Sequence, residues 1–224
     1  FNELQTEMMF SDRIADVPRS FIREILKVAI SPDIISFAGG LPNRTLFPVE
    51  ELKQSAIKVF DTMGRDALQY SNSEGYLPLR QTISNYYLNK HHLKVDTENI
   101  LITSGSQQGL DLLGKVLINQ GDEVVIEEPG YLGAIQALSL FRPVFRPVPL
   151  RDDGIDCNIL EEIVTGPGPK MMYTVPVFHN PSGITYSPET RKSVVQIMAK
   201  KNCYIVEDNP YIDLCFEDKI SESF

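Results

Sequence analysis

From residue 99 onward the chain alternates short apolar runs with helix-length amphipathic stretches, and this constrains the fold more than any other feature. Residues 100–103, 123–126, 144–148, 171–174 and 204–206 read as strands, with Pro147 interrupting the third. Residues 105–118, 131–140, 158–164 and 188–200 read as helices between them. Strands that alternate with helices predict a layered α/β architecture around a largely parallel sheet. Such sheets bind ligands beyond the carboxyl ends of their strands, so the residues just after each strand are the candidates for chemistry.

Upstream the pattern differs. Phe21, Ile22, Ile25, Leu26, Ala29 and Ile30 recur at helical spacing between Pro18 and Pro32, and residues 37–42 form a turn-rich loop. A second helix is expected over residues 48–63 and a third from Leu77, with Pro78 tolerated in its first turn. The expected division is an N-terminal arm over residues 1–45 and a larger domain over 46–224.

Composition narrows the function. The 224 residues carry 21 Lys+Arg against 30 Asp+Glu, a formal net charge of −9. That balance disfavours nucleic acid or an anionic membrane as a partner, since both select clustered basic residues. No apolar run reaches the roughly 18–20 residues of a membrane span, and no signal-peptide pattern opens the chain. Cys157, Cys203 and Cys215 are scattered without C-x-x-C spacing, and His91 and His92 are adjacent and diverge. A disulfide framework, a zinc site and a metalloenzyme are therefore not expected, and the default setting is cytoplasmic.

Four strand ends carry residues suited to one ligand. Ser104-Gly105-Ser106-Gln107 leads into a helix, where free N–H groups and the helix dipole favour an anion. The same residues also make an ordinary Ser-capped helix start. Tyr131 follows Glu128-Pro129-Gly130 and is placed either to stack on a flat ring or to line the core. Pro181 and Gly183 are explained by turn chemistry, whereas the amide of Asn180 is not required by it and is free to donate to a ligand oxygen. Asp208 ends a buried apolar strand, a costly position unless it meets a cation or forms an Asx-turn into Pro210. An anionic group, a flat ring and a cationic ring nitrogen together describe pyridoxal 5′-phosphate.

The motifs resemble one family. They are IREILK (22–27), SFAGGLP (36–42), YSNSEGYLPLR (70–80), TSGSQQGL (103–110), EPGY (128–131), HNPSG (179–183) and EDNPY (207–211). Together they resemble the class I/II aminotransferases of pyridoxal-phosphate fold type I. The similar branch includes 2-aminoadipate aminotransferases and the C-terminal domains of MocR-type regulators. The resemblance implies a three-layer α/β/α transferase fold with a mainly parallel mixed sheet. It also implies exchange of an amino group between an amino acid and a 2-oxo acid, in a homodimer with composite active sites.

For individual residues the resemblance implies that Gly105, Ser106 and Gln107 hold the cofactor phosphate, and that Tyr70 reaches the phosphate of a neighbouring subunit. Tyr131 would stack on the pyridine ring, Asn180 and Tyr211 would hydrogen-bond its hydroxyl oxygen, and Asp208 would pair with its nitrogen. Gly40 and Asn180 would lie near the substrate carboxylate. Arg23 would touch a substrate side chain, or else be a solvent-facing helix charge. His179 stands where the family more often has Gln and Ser182 where it often has Thr; both are read as shaping the turn. The Schiff-base Lys, in a Ser-x-Ser-Lys-like segment, is expected beyond Phe224, because Lys219 lies too close to Asp208. The chain thus reads as an N-terminal portion, truncated before the C-terminal domain and inactive alone. The alternative is the cofactor-sensing domain of a MocR-type transcriptional regulator, marked by a winged helix-turn-helix upstream.

Overall fold

The computed structural model describes residues 11, 13, 40, 42–216 and 223–224. The expected helix at 21–30, Arg23, most of the 37–42 loop and Lys219 lie outside the described residues. The described residues fall into two compact units, one holding 40 and 42–73, the other 11, 13, 74–216 and 223–224. In the unit that ends at Ser73, a short 3-10 turn, Arg44–Leu46, is capped by the Asn43 side chain. Helix α1, Val49–Met63, follows and ends at Gly64, at the start of a second 3-10 turn. Pro48 stands just before its first residue, and Glu50 and Glu51 occupy its first turn, where acidic side chains favour the helix dipole.

In the other unit α2 spans Leu77–His91, with Pro78 in the first turn as expected. It continues with α3, Ser106–Leu117; β1, Glu123–Glu128; α4, Leu132–Ser139; β2, Val144–Arg151; and β3, Gly154–Ile155. Then come α5, Cys157–Thr165; β4, Met171–Thr174; α6, Pro188–Ala199; and β5, Tyr204–Glu207. Five strands form one sheet in the order β3-β2-β1-β4-β5. All pairs are parallel except β2 with β3, so the sheet is mixed and mainly parallel.

Strand parity splits the core into two layers. Val124, Ile126, Met171 and Tyr173 pack with Leu110 of α3 and Ala134, Ala137 and Leu138 of α4. Val125 and Met172 point the other way, onto Leu160 and Val164 of α5 and Val194, Ile197 and Met198 of α6. Helices therefore cover both faces, which gives the three-layer α/β/α arrangement. Near-continuous apolar strands are what burial on both faces demands.

Two sequence expectations need correction, and one strand was not anticipated. Residues 100–103 are extended but form no strand, because no ladder neighbour stands beside them among the described residues; the Ile102 N–H instead donates to the Glu74 carbonyl at 3.0 Å. Pro147 does not interrupt β2, which runs on through Pro149 to Arg151. The reason is direction. Pro149 turns its carbonyl outward, to the Asp156 N–H at 2.9 Å on the β3 side. Pro147, two residues earlier, has the same parity, so neither missing N–H is taken from the ladder with β1. The two-residue β3, finally, was too short to register as an apolar run.

Candidate active site at the carboxyl edge of the sheet

Helix α3 starts on Gly105, whose φ of +94° lies in the region that favours glycine. A Cβ there would meet nothing within 4 Å, so the backbone conformation and not crowding is what calls for glycine. No side chain caps this helix. The N–H groups of Ser106 and Gln107 have no hydrogen-bond partner among the described residues, and both residues are exposed. Unpartnered N–H groups at the positive end of a three-turn helix form a site for an anion. The neighbouring geometry is fixed: the Ser104 N–H donates to Gln108 Oε1 at 2.6 Å, and Thr103 Oγ1 donates to the Gly105 carbonyl at 3.0 Å.

The Gln107 side chain ties this turn to the next strand end. Its Nε2 donates to the carbonyl of Gly133 at 3.1 Å, in the first turn of α4. The Tyr131 ring lies over that same Gly133; a Cβ there would stand 2.6 Å from Tyr131 Cζ and Oη. Tyr131 also packs against the α3/α4 core layer and remains half-exposed. Its phenol is pushed up from the ordinary value by burial, then by the negative charge of Asp208, then by Tyr211. Tyr131, Asp208 and Tyr211 therefore share one electrostatic neighbourhood.

Asp208 directly follows β5. Register places Tyr173 beside Val206 and Thr174 beside Glu207. Val206 faces the α3/α4 layer, so Glu207 faces away and Asp208 returns to the layer that holds Tyr131. Its backbone N–H donates to the Thr174 carbonyl at 2.9 Å. The Tyr173 hydroxyl donates to Asp208 Oδ2 at 2.6 Å. Burial, and then this hydrogen bond to a carboxylate, push the Tyr173 phenol well above the ordinary range. Tyr173 is thus a fixed donor that orients the Asp208 carboxylate. Its apolar-strand context gave the sequence reading no cue to that role, which emerges only from the β4–β5 register.

Asn180 sits at the tip of a tight loop after β4 and is exposed. The loop is closed by Tyr186 N–H to Pro176 O at 2.9 Å, His179 N–H to Ile184 O at 2.9 Å, and Gly183 N–H to His179 O at 2.6 Å. No hydrogen bond of the Asn180 side chain is formed among the described residues. Tyr211 is half-buried at the start of the 3-10 turn Ile212–Leu214. The structure therefore brings Gly105, Ser106, Gln107, Tyr131, Asp208 and Tyr211 to one edge, with Asn180 on the loop beyond β4 at the same edge. Tyr70, fully exposed, and Gly40 belong to the other unit, and Arg23 lies outside the described residues.

Beneath this edge, on the α5/α6 side, the sequence reading missed a buried polar cluster. Glu127 and His179 are each 1% exposed. Glu127 accepts from the Thr174 hydroxyl at 2.5 Å, the Tyr186 hydroxyl at 2.8 Å and the Val175 N–H at 3.1 Å. His179 Nε2 stands 3.1 Å from Glu127 Oε2, a close polar contact without the alignment of a hydrogen bond. His179 does shape the turn as expected, through Ser182, but it also reaches the centre of the sheet.

The Aminotransferase class I and II family model matches residues 32–223 of this chain. The chain is 39% identical over 216 residues to aromatic-amino-acid aminotransferase 1 of Thermococcus litoralis, covering 94% of this chain and 52% of that protein. It is 42% identical over 200 residues to 2-aminoadipate transaminase of Thermus thermophilus, covering 89% and 49% respectively. The solved structure of Pyrococcus horikoshii kynurenine aminotransferase, in complex with PMP, superposes with a TM-score of 0.90 at 37% identity, over 97% of this chain and 55% of that one. HTH-type transcriptional regulators of Bacillus subtilis match at lower identity. The chain spans about half the length of the curated relatives it matches.

Proposed function

Because this chain belongs to the class I and II aminotransferase family, we propose that its strand-end edge binds pyridoxal 5′-phosphate and serves transfer of an amino group between an amino acid and a 2-oxo acid. One observation carries the reading: Asp208, held by the Tyr173 hydroxyl, shares an electrostatic neighbourhood with the Tyr131 phenol. The donor set suits the cofactor. The unpartnered N–H groups of Ser106 and Gln107 offer an anion site without a counter-ion of their own. The carboxylate of Asp208 supplies a base for a protonated ring nitrogen, and Tyr131 an aromatic face.

In this reading Gly105 lets the turn approach the phosphate, while Ser106 and Gln107 hold it. Tyr131 stacks on the ring, and Asn180 and Tyr211 hydrogen-bond its hydroxyl oxygen. Asp208 keeps the ring nitrogen protonated. When bound, the cofactor supplies an electron sink for the bond broken at the substrate Cα. Gly40 and Asn180 orient the substrate carboxylate, and Arg23 contacts its side chain. The full exposure of Tyr70 supports its reaching the phosphate of a second subunit in a homodimer. Residues 1–224 contain no Ser-x-Ser-Lys segment, and we propose that this stretch by itself does not turn over. The setting is proposed to be cytoplasmic.

The aromatic-amino-acid and 2-aminoadipate transaminases among the relatives suggest amino donors with long or aromatic side chains. The test is amino transfer by the complete gene product, supplied with pyridoxal phosphate, an amino acid panel and 2-oxoglutarate. Glutamate formation is expected, with a loss of about a hundredfold or more in Asp208→Ala. No transfer from any donor contradicts the reading. The matches to HTH-type regulators favour a second reading, a cofactor-sensing module; cofactor binding without transfer, beside a winged helix-turn-helix in the complete product, would support it.

A further inference from the structure

Glu127 is a carboxylate with no access to solvent, placed at the carboxyl end of the central strand β1. Burying a carboxylate is strongly unfavourable unless donors surround it. Here Thr174, Val175 and Tyr186 all donate to it, and His179 closes the remaining side. None of these groups faces the edge that carries Asp208 and Tyr131. Parity sends Glu127 to the α5/α6 layer, whereas Tyr173 and Asp208 belong to the α3/α4 layer. The cluster is therefore not a second reacting centre.

What it holds is the loop that bears Asn180. The backbone of His179 closes that loop in both directions, to Ile184 and to Gly183. The imidazole Nδ1 lies 2.8 Å from Ser182 Oγ and accepts the Ser182 N–H at 3.3 Å. An Nδ1 that accepts leaves its proton on Nε2, the nitrogen facing Glu127. The residues on both sides of the Asn180–Pro181 pair are thus tied to one imidazole, and that imidazole is tied to the middle of the sheet. The Arg191 guanidinium adds a tie at the loop's base, donating from Nη2 to the Pro176 carbonyl at 3.2 Å. Asn180 itself makes no side-chain hydrogen bond among the described residues, so its position derives from these neighbours.

We propose that Glu127 and His179 are positioning residues: their buried pair anchors the 176–186 loop to β1 and so sets where the Asn180 amide stands at the site. This rests on the reading that Asn180 contacts the bound cofactor. A purely structural role would lower stability without acting through Asn180, and the two are separable by a double-mutant cycle.

The experiment uses the complete gene product, with the dissociation constant for pyridoxal 5′-phosphate measured by spectrophotometric titration and unfolding temperature measured without cofactor. His179→Leu is expected to weaken binding about tenfold or more, while His179→Gln, whose polar amide can stand against Glu127 in place of the imidazole, stays within about threefold of wild type. The weakening is expected to vanish on an Asn180→Ala background, because the anchored amide is then gone. Full affinity in His179→Leu, or effects that multiply in the double variant, overturns the proposal. If His179→Leu does not fold, Glu127→Gln replaces it: weakened binding that vanishes with Asn180→Ala supports the pair, and wild-type affinity overturns it. Wild type that binds no cofactor overturns the functional reading and this inference with it. Cofactor binding that is weakened by Asn180→Ala but not by either anchor variant overturns this inference alone.

Discussion

Asp208 and Glu127 are both acidic residues at the ends of mostly apolar strands, β5 and β1, that flank β4, yet they do opposite things. Asp208 is partly exposed and has one side-chain partner among the described residues, Tyr173; Glu127 is sealed and accepts from Thr174, Val175 and Tyr186. The first arrangement leaves a carboxylate free to meet a ligand cation, and the second consumes its acceptor capacity. Tyr173→Phe removes the donor that orients Asp208 without changing the packed ring. It is expected to lower stability by about 1.5 kcal/mol, the low end for a hydrogen bond to a charged group, since water can replace it at a partly exposed carboxylate. Urea denaturation of both proteins checks this. The sequence made Asp208 legible because it closes an apolar strand and leads straight into the Asn209-Pro210 turn. Glu127 was not legible, because Glu127 and Glu128 are identical in type, and only the parity of β1 decides that one is buried and the other exposed. His179 was read as a turn residue for the same reason: nothing in HNPSG says that the ring points inward.

At the scale of elements, two helices, α5 and α6, begin on side-chain caps. Ser187 Oγ accepts the Thr190 N–H at 3.0 Å and starts α6, with Pro188 in the first turn. Ser187→Ala is expected to cost about 1 kcal/mol, read from chemical denaturation. Asp156 caps α5 by accepting from the N–H groups of Asn158 and Ile159, and it pairs with Arg151. The Arg151 hydrogen bond, and then the backbone donors, hold its carboxyl below the ordinary value of 3.8. A carboxyl depressed in the folded state contributes stability above its unfolded value, and that contribution is lost as pH falls through the folded one. The difference in unfolding temperature between wild type and Asp156→Asn is therefore expected to be full at pH 6 and to shrink below about pH 4; a difference that grows with acid would contradict the assignment. Elements with long periodic patterns, such as α1, α3 and α6, were readable. Residues 100–103 show where such reading stops: β-type composition makes an extended segment, but a strand needs a neighbour.

For the whole molecule, order along the chain becomes convergence in space. Gly105, Tyr131 and Asp208 are far apart in sequence, and each follows or flanks an element that ends at the same sheet edge. Parallel winding produces this, because every crossover returns the chain to start its next strand at the opposite end. The α/β class and the edge itself were therefore legible from the alternation alone. The two-sided partition was not, because it depends on register: Tyr173 beside Val206 turns Asp208 toward Tyr131 and leaves Glu127 with Tyr186. Gly154 shows how closely the second layer packs. A Cβ there would stand 2.8 Å from Thr190 Cγ2 and 2.9 Å from Tyr186 Cγ, at a φ of +127°. Gly154→Ala is expected to destabilise the protein by about 1–3 kcal/mol, visible as a lowered denaturation midpoint.

The claim on which the rest depends is that the Asp208 carboxylate faces a protonated pyridine nitrogen. Nitrogen NMR of pyridoxal 5′-phosphate labelled with 15N at the ring, bound to the complete gene product, reads that proton directly. A protonated shift that persists from pH 6 to pH 9 in wild type, and moves to the unprotonated position in Asp208→Ala, is the predicted result. An unprotonated nitrogen in wild type, or the same shift in both proteins, would contradict it.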